Sequence, residues 1–276
     1  MVLVDPAIWR DYRQPGCDLR PVFQQLVEGL TSFGVDVRML EKEDLPLDIW
    51  IRDWGFVGNC YFKYSPSYAR NLHPQSAIKR ARQHLDIQTG REHRLIPLVL
   101  DGGNLVHNGN VAILTEKVLQ DNPQMSRLEI ERMIISLGFE RVFFIPVEPE
   151  DVIGHADGIV RFLSPDVLLV NEYTGSHFRD YQRRLMTILR RAKLHAELFP
   201  FPWFSTNEIN DGVWSAVGCY INFIQTARGI VCPVFENEFD QRALELLQKT
   251  SISTRFVEAT TLAGLGGVLN CVVTTN

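Results

Sequence analysis

Residues 126–170 read SRLEIERMIISLGFERVFFIPVEPEDVIGHADGIVRFLSPDVLLV, and their order of elements decides the fold. From Ser126 onward, Leu128, Ile130, Met133, Ile134 and Leu137 recur at the spacing that lines one face of a helix, with Ser126 as its cap and Gly138 as its stop. A short strand-like run follows, Arg141 to Pro146. Then Ile159 to Leu163 and Val167 to Val170 flank the turn residues Ser164-Pro165-Asp166, which predicts a hairpin. Helix, strand and hairpin form one unit, and His155 and Asp157 stand just ahead of its hairpin.

The same unit recurs on both sides. A helix is expected from near Leu19, with Val22, Phe23, Leu26, Val27 and Leu30 on one face and Gly34 beyond its end. A weaker, basic one runs from Ser76 toward Leu85, and others cover Phe178 to Ala192 and Glu238 to Lys249. The five helix starts lie about 50 to 60 residues apart. Strand-like runs come after each, at Val35 to Leu40, Leu95 to Leu100, Leu194 to Phe199 and Thr254 to Ala259. Further hairpins surround Asn108-Gly109-Asn110, from Leu105 to Leu114, and Ala227-Arg228-Gly229, from Tyr220 to Phe235. The last run, Val268 to Thr274, has no following strand, and Val2 to Val4 is available to pair with it and close a ring. No linker rich in Ser, Pro or Gly interrupts the pattern, so residues 1–276 read as a single α/β domain. The commoner alternative, a doubly wound parallel sheet, has one strand between successive helices and a glycine-rich phosphate loop after its first strand; here there are three strand-like runs and no such loop.

The net charge is −5 and the isoelectric point near 5.8, which gives no general reason to bind nucleic acid or an anionic membrane and suits a cationic ligand. No apolar run approaches the roughly 18 residues of a membrane span, and Met1 to Pro6 does not resemble a signal peptide, so the expected location is the cytoplasm. Five scattered cysteines without CxxC spacing read as reduced thiols, and no cofactor motif or metal-ligand cluster is expected.

Polar residues recur at one phase of the repeat, just before a hairpin and beside glycine: Asp53-Trp54-Gly55, Asp101-Gly102-Gly103, His155 with Asp157-Gly158, Asp211-Gly212, and Gly266-Gly267 followed by Cys271. In a ring of like modules, equivalent positions face one axis, so Asp53, Asp101, His155, Asp157 and Cys271 are expected to converge. Taken singly, each has an ordinary reading: Asp-Gly is a turn dipeptide, His155 a satisfied histidine, and Cys271 a thiol in an apolar strand. Their shared phase carries the argument. Several carboxylates, a histidine and a thiol with no base among them repel an anionic transition state but fit a planar cation. A guanidinium can be held by paired carboxylates while a thiolate attacks its central carbon and a histidine moves the protons.

At Asp48-Ile49-Trp50-Ile51-Arg52-Asp53, Asp101-Gly102-Gly103-Asn104, Gly154-His155-Ala156-Asp157, Tyr220-Ile221-Asn222-Phe223 and Gly266-Gly267 ahead of Cys271, the chain resembles the agmatine deiminase and bacterial peptidylarginine deiminase-like family of guanidino-group-modifying enzymes. The resemblance implies the pentein fold, a five-bladed pseudo-symmetric α/β propeller. It also implies Cys271 as nucleophile, His155 as general acid and base, Asp101 as the acid that orients the histidine, and Asp53 with Asp157 as the guanidinium-binding pair. No cofactor is implied, and the partner is a small guanidino substrate, with a homo-oligomer left open. Two positions depart from the agmatine enzymes, which usually carry Glu where Asp101 stands and His where Asn270 stands. Trp50 and Trp54 flank Asp53 and are candidates for packing on the substrate, against an equal reading as core. Asp48, Trp203 and Glu208 are expected near the substrate's tail. Amidinotransferases and arginine or peptidylarginine deiminases use the same Cys-His-Asp set and remain alternatives, with a binuclear metal hydrolase as a further rival.

Overall fold

The apolar periodicity becomes five long helices: α1 (Arg20–Ser32), α2 (Gln75–Thr89), α3 (Arg127–Ile135), α4 (Arg179–Arg191) and α5 (Glu238–Gln248). The computed structural model describes residues 1–5, 12–14, 16–40, 49–66, 75–149, 151–210 and 212–275. On α1 the buried face is Val22, Phe23, Leu26 and Leu30, and Gly34 beyond its end sits at φ 69°, where a side chain would be strained. Ser126 caps α3 reciprocally with Glu129, and Asn237 caps α5 with Asp240. Such a cap contributes about 1 kcal/mol. Ile130 and Ile134, one turn apart, hold α3 to its sheet, so Leu128, expected on the same face, is left exposed.

Each helix serves one three-stranded sheet of a single pattern, an antiparallel hairpin followed by a crossover into a strand parallel to the hairpin's second strand. Phe56–Val57 and Cys60–Lys63 pair antiparallel, and α2 leads to the parallel strand Arg94–Val99. Val106–His107 and Val111–Thr115 are followed through α3 by Arg141–Ile145. Val160–Ser164 and Val167–Asn171 lead through α4 to Glu197–Phe201. Ile224–Gln225 and Ile230–Val234 lead through α5 to Thr254–Glu258. The remaining sheet joins the two ends of the chain: Val2 pairs with Thr275 and Val4 with Val273, antiparallel, while Val2–Val4 lies parallel to Val37–Met39 after α1. Among the described residues no sheet exceeds three strands, which removes the doubly wound alternative.

Buried apolar residues gather in four clusters, each built around one or two of these helices. Burial is thus distributed over the modules. A separate set of polar side chains, among them Asp53, Asp101, Asn104, His155, Asp157, Asn222 and Asn270, is buried as well. Buried polar groups persist where they hold one another.

Three expectations shift. Tyr220 and Ile221 lie in a turn, Asn222 and Phe223 are irregular, and only Ile224–Gln225 joins the ladder, which leaves Asn222 outside the strand pairing. The strand expected from Leu194 begins at Glu197, after Lys193 has closed α4 with φ 44°. Ile209–Asn210 and Val213–Trp214 form a small extra hairpin. Asp48 and Asp211 lie outside the described residues. No helix among the described residues is long and apolar enough to cross a membrane.

Candidate active site

The segment entering each hairpin carries the polar residues at matched distances. Asp101 and His155 each stand five positions before the first hairpin strand, which begins at Val106 and Val160. Both are extended, at φ −83°, ψ 141° and φ −85°, ψ 143°, and each is followed by a 3₁₀ turn, Gly102–Asn104 or Ala156–Gly158. Asp53 and Asp157 stand three positions before their strands, and Asn222 and Cys271 two before theirs. The repeat therefore sets local geometry as well as element order.

The convergence expected of the five residues is found around His155. Its Nε2 donates to Asp101 Oδ2 at 3.0 Å, and its Nδ1 lies 3.6 Å from Asp53 Oδ1. Gly103 makes room for this: a Cβ there would stand 2.7 Å from His155 Nδ1, 3.2 Å from Asp53 Oδ1 and 3.3 Å from Asp157 Oδ1. The Asp157 carboxylate accepts from Asn270 Nδ2 at 2.7 Å. Cys271 Sγ donates to Asn222 Oδ1 at 3.4 Å, and Arg52 N–H donates to the Cys271 carbonyl at 3.1 Å. Asn222 also accepts from the Asn270 N–H at 3.1 Å, so one amide steadies the two residues 270 and 271.

Burial opposes a charge on His155, but Asp53, then Asp101 and Asp157, outweigh it and push its pKa up to about 10. The ring is an imidazolium at neutral pH. Burial, with Asp157 and Asp53 adding repulsion, holds the Cys271 thiol well above its usual range. Without a ligand the site is therefore thiol and imidazolium, and the thiol hydrogen bond to Asn222 suits that state.

His155, Asp157 and Cys271 open onto a cavity of about 140 Å³. Asp53 and Asp101 stand behind the histidine and do not line it. Trp50 does not line it either; its ring packs against Gly267, where a Cβ would meet it at 2.5 Å. Trp54 is fully buried with Ile51, Phe56 and Tyr61, so it packs in the module core and does not offer a face to the cavity. Trp203 reaches the wall, but Glu208 is exposed elsewhere. Besides Asp157, Glu148 and Asp151 are acids of the wall, joined by the aromatic rings of Phe178, Phe204 and Trp214. Glu148 accepts from the Tyr173 hydroxyl at 2.7 Å, and burial raises its pKa to about 8. No Arg or Lys is among the described lining residues. Glu148 and Asp151 do not figure among the residues singled out from the sequence, and Asn222 figures only within a motif, without a role. Asn222 had a usable signal, its place two residues before a hairpin, whereas the two acids sit in a loop without a repeat counterpart. Among the described residues no group of three or more His, Cys, Asp and Glu has metal-holding geometry.

The model of the Porphyromonas-type peptidyl-arginine deiminase family matches residues 23–276. The chain belongs to that family. Relatives of this peptidyl-arginine deiminase family member include an agmatine deiminase of Pseudomonas aeruginosa, 27% identical over 232 residues, or 71% of this chain and 60% of the relative. A putative agmatine deiminase of Enterococcus faecalis is 25% identical over 222 residues, 70% of this chain and 61% of the relative. The chain thus spans about 60% of the length of the curated relatives it matches. Its fold is that of the solved Enterococcus faecalis agmatine deiminase, with a TM-score of 0.77 at 17% identity over 99% of this chain and 92% of that one. A C. jejuni agmatine deiminase solved with substrate bound gives a TM-score of 0.75 at 15% identity, with coverage of 99% and 92%. The family model takes in all the motif residues quoted above, from Asp48 to Cys271.

Proposed function

We propose that this protein is a deiminase that hydrolyses a guanidino compound, of the agmatine type, to a ureido product and ammonia. The carrying observation is one cavity that joins a thiol, an imidazolium and a carboxylate to acidic and aromatic walls, with no Arg or Lys among the described lining residues. The relatives named as agmatine deiminases point the same way. We take the five like sheets as the blades of a pseudo-symmetric propeller whose ring is closed by Val2–Val4 and Val273–Thr275, and the free cysteines as suited to the reducing cytoplasm.

A guanidinium entering this cavity is held by Asp157, with Asp53 beside it across the Gly103 gap. Its positive charge reverses the repulsion that keeps Cys271 protonated, and the thiol loses its proton to solvent as the substrate binds. The thiolate forms a C–S bond to the guanidinium carbon. His155 then gives its proton to the departing nitrogen as the C–N bond breaks, and ammonia leaves. The resulting thiouronium is attacked by water, whose proton returns to His155. Collapse forms the ureido C=O and breaks the C–S bond, the remaining hydroxyl proton passing to the departing sulfur, which restores the Cys271 thiol and releases the product. Asp101 holds the ring through Nε2 during both transfers. An amidinotransferase would resolve the same adduct with an amine, and release of free ammonia with a ureido product separates the two.

The wall also reads the substrate's tail. Glu148 and Asp151 with the rings of Trp203 and Trp214 suit a second positive charge. An α-carboxylate would be desolvated without a partner, at a cost of several kcal/mol. Since about 1.4 kcal/mol is tenfold, agmatine should exceed free arginine in kcat/KM by tenfold or more. Because Glu148 gains its charge above about pH 8, the margin should widen as pH rises through that value. Assay of both substrates in one buffer series checks this, and a tenfold preference for arginine would refute the tail assignment.

No step of this chemistry requires a Lewis acid, because carboxylates hold the substrate and His155 moves the protons. Dialysis against a chelator should leave turnover unchanged. Loss of activity that Mn²⁺ restores would mean metal-assisted hydrolysis instead.

A further inference from the structure

A second cavity, of about 410 Å³, shares only Asp157 with the first. Its wall includes the guanidiniums of Arg52 and Arg161, the amides of Gln225 and Asn270, and His107. Arg52 Nε donates to the Asn270 carbonyl at 3.3 Å and its NH2 to Asn270 Oδ1 at 3.2 Å, both neutral acceptors. Arg161 lies over the Phe223 ring at 4.7 Å, and among the described residues no carboxylate comes within ion-pair distance of either guanidinium. Burial, and then Arg52 as a like charge, lower Arg161 to about 10 against the pull of Asp157, so it stays charged at neutral pH. Among the described residues Asp157 is the only acid on this wall, and its Oδ2 is already taken by the Asn270 amide.

In a chain of net charge −5, two partly buried guanidiniums that face one cavity without an ion-paired carboxylate are placed to take an acceptor from solution. We propose that this cavity binds a small oxyanion, a carboxylate or phosphate group taken by Arg52 and Arg161. The planar fork of a guanidinium matches either group with two parallel hydrogen bonds. The volume exceeds what a bare inorganic ion needs, which favours a small organic acid or phosphate ester. The bound group would sit within reach of the first cavity's chemistry. Arg52 donates to Asn270 Oδ1, and Asn270 Nδ2 donates to Asp157, the acid common to both cavities. Neutralising the two bases would relieve their repulsion of a cation at Asp157, so anion and cation should each tighten the other's binding by the same factor.

Calorimetric titration of the unmodified protein tests the assignment without reference to turnover, with citrate and inorganic phosphate as separate probes and chloride at matched ionic strength as the blank. One saturable site is expected for at least one probe, and the tighter of the two identifies carboxylate or phosphate as the group recognised. Arg161→Gln should weaken that binding tenfold or more. Gln225→Glu, which places a carboxylate on the wall and keeps both bases, should do the same, with a lower melting temperature because the 2.8 Å donation from Gln225 Nε2 to the Leu163 carbonyl is lost. No saturable binding of either probe, or affinity unchanged in both variants, would overturn the proposal.

Discussion

Cys271→Ala should lower turnover by about 10⁴ to 10⁶, as loss of a nucleophile does in other covalent mechanisms. The reason is local. Cys271 meets the cavity beside His155 and Asp157, and its sulfur is hydrogen-bonded to Asn222 at 3.4 Å, an acceptor that orients the thiol without ionising it. Cys219 is the informative control, because it lines the same cavity and is also held well above its usual range by burial, with Glu148 next. A haloacetamidine carries the guanidinium-like charge that lowers the Cys271 thiol, so intact mass should show one adduct and peptide mapping should place it at Cys271. An adduct at Cys219, with Cys271→Ala retaining activity, would move the nucleophile.

His155→Gln should cost about 10² to 10⁴ in kcat, the range for a group that transfers protons in the transition state. The wild-type ring also fixes a pH limit. Its pKa in the folded protein lies near 10, above the ordinary 6.5, so the proton it must deliver is present through neutral pH and is lost as pH rises through about 10. The stability contributed by its acid partners follows the same sign: full below about 6.5, lost on passing 10. Asp53 is the largest influence raising that value. Asp53→Asn should therefore bring the alkaline limb of the kcat/KM profile to lower pH, beyond whatever it does to binding. An unshifted limb would remove Asp53 from contact with the histidine.

Much of this was legible in the residues, for reasons that differ by element. Asn108-Gly109-Asn110 marked its hairpin because the turn between Val106–His107 and Val111–Thr115 needs a residue at positive φ, and Gly109 supplies it at 98°. The pairing of Val2–Val4 with the other end of the chain followed from counting unpaired runs. The hairpin expected after Asp53-Trp54-Gly55 had no strands assigned to it, although Gly58, at φ 59°, announces its turn, because the first strand, Phe56–Val57, is only two residues and shows no alternation. Trp54 illustrates the limit for side chains. Next to Asp53 in sequence, it turns the other way on the short helix Ile51–Trp54 and fills the core. Neighbours in sequence share a face on neither a helix nor a strand. Glu148 and Asp151 come from the long loop after Arg141–Ile145, where no periodicity guides a reading.

The pairing of Val2–Val4 with Val273–Thr275 also bears on how the protein assembles. Cys271 lies two residues before the second of these strands, and its carbonyl is held by Arg52 N–H at 3.1 Å. During synthesis Val2–Val4 can dock on Val37–Met39 soon after α1 emerges, but its other edge waits for residues made more than two hundred positions later. That contact is the most expensive in chain entropy that the fold makes. Cys271 thus comes into place with Val273–Thr275, whereas Asp53, Asp101, His155 and Asp157 already occupy earlier modules. Until that pairing forms, a nascent chain would carry Asp53, Asp157 and His155 without Cys271 in position, and the onset of activity would report that these two strands had met.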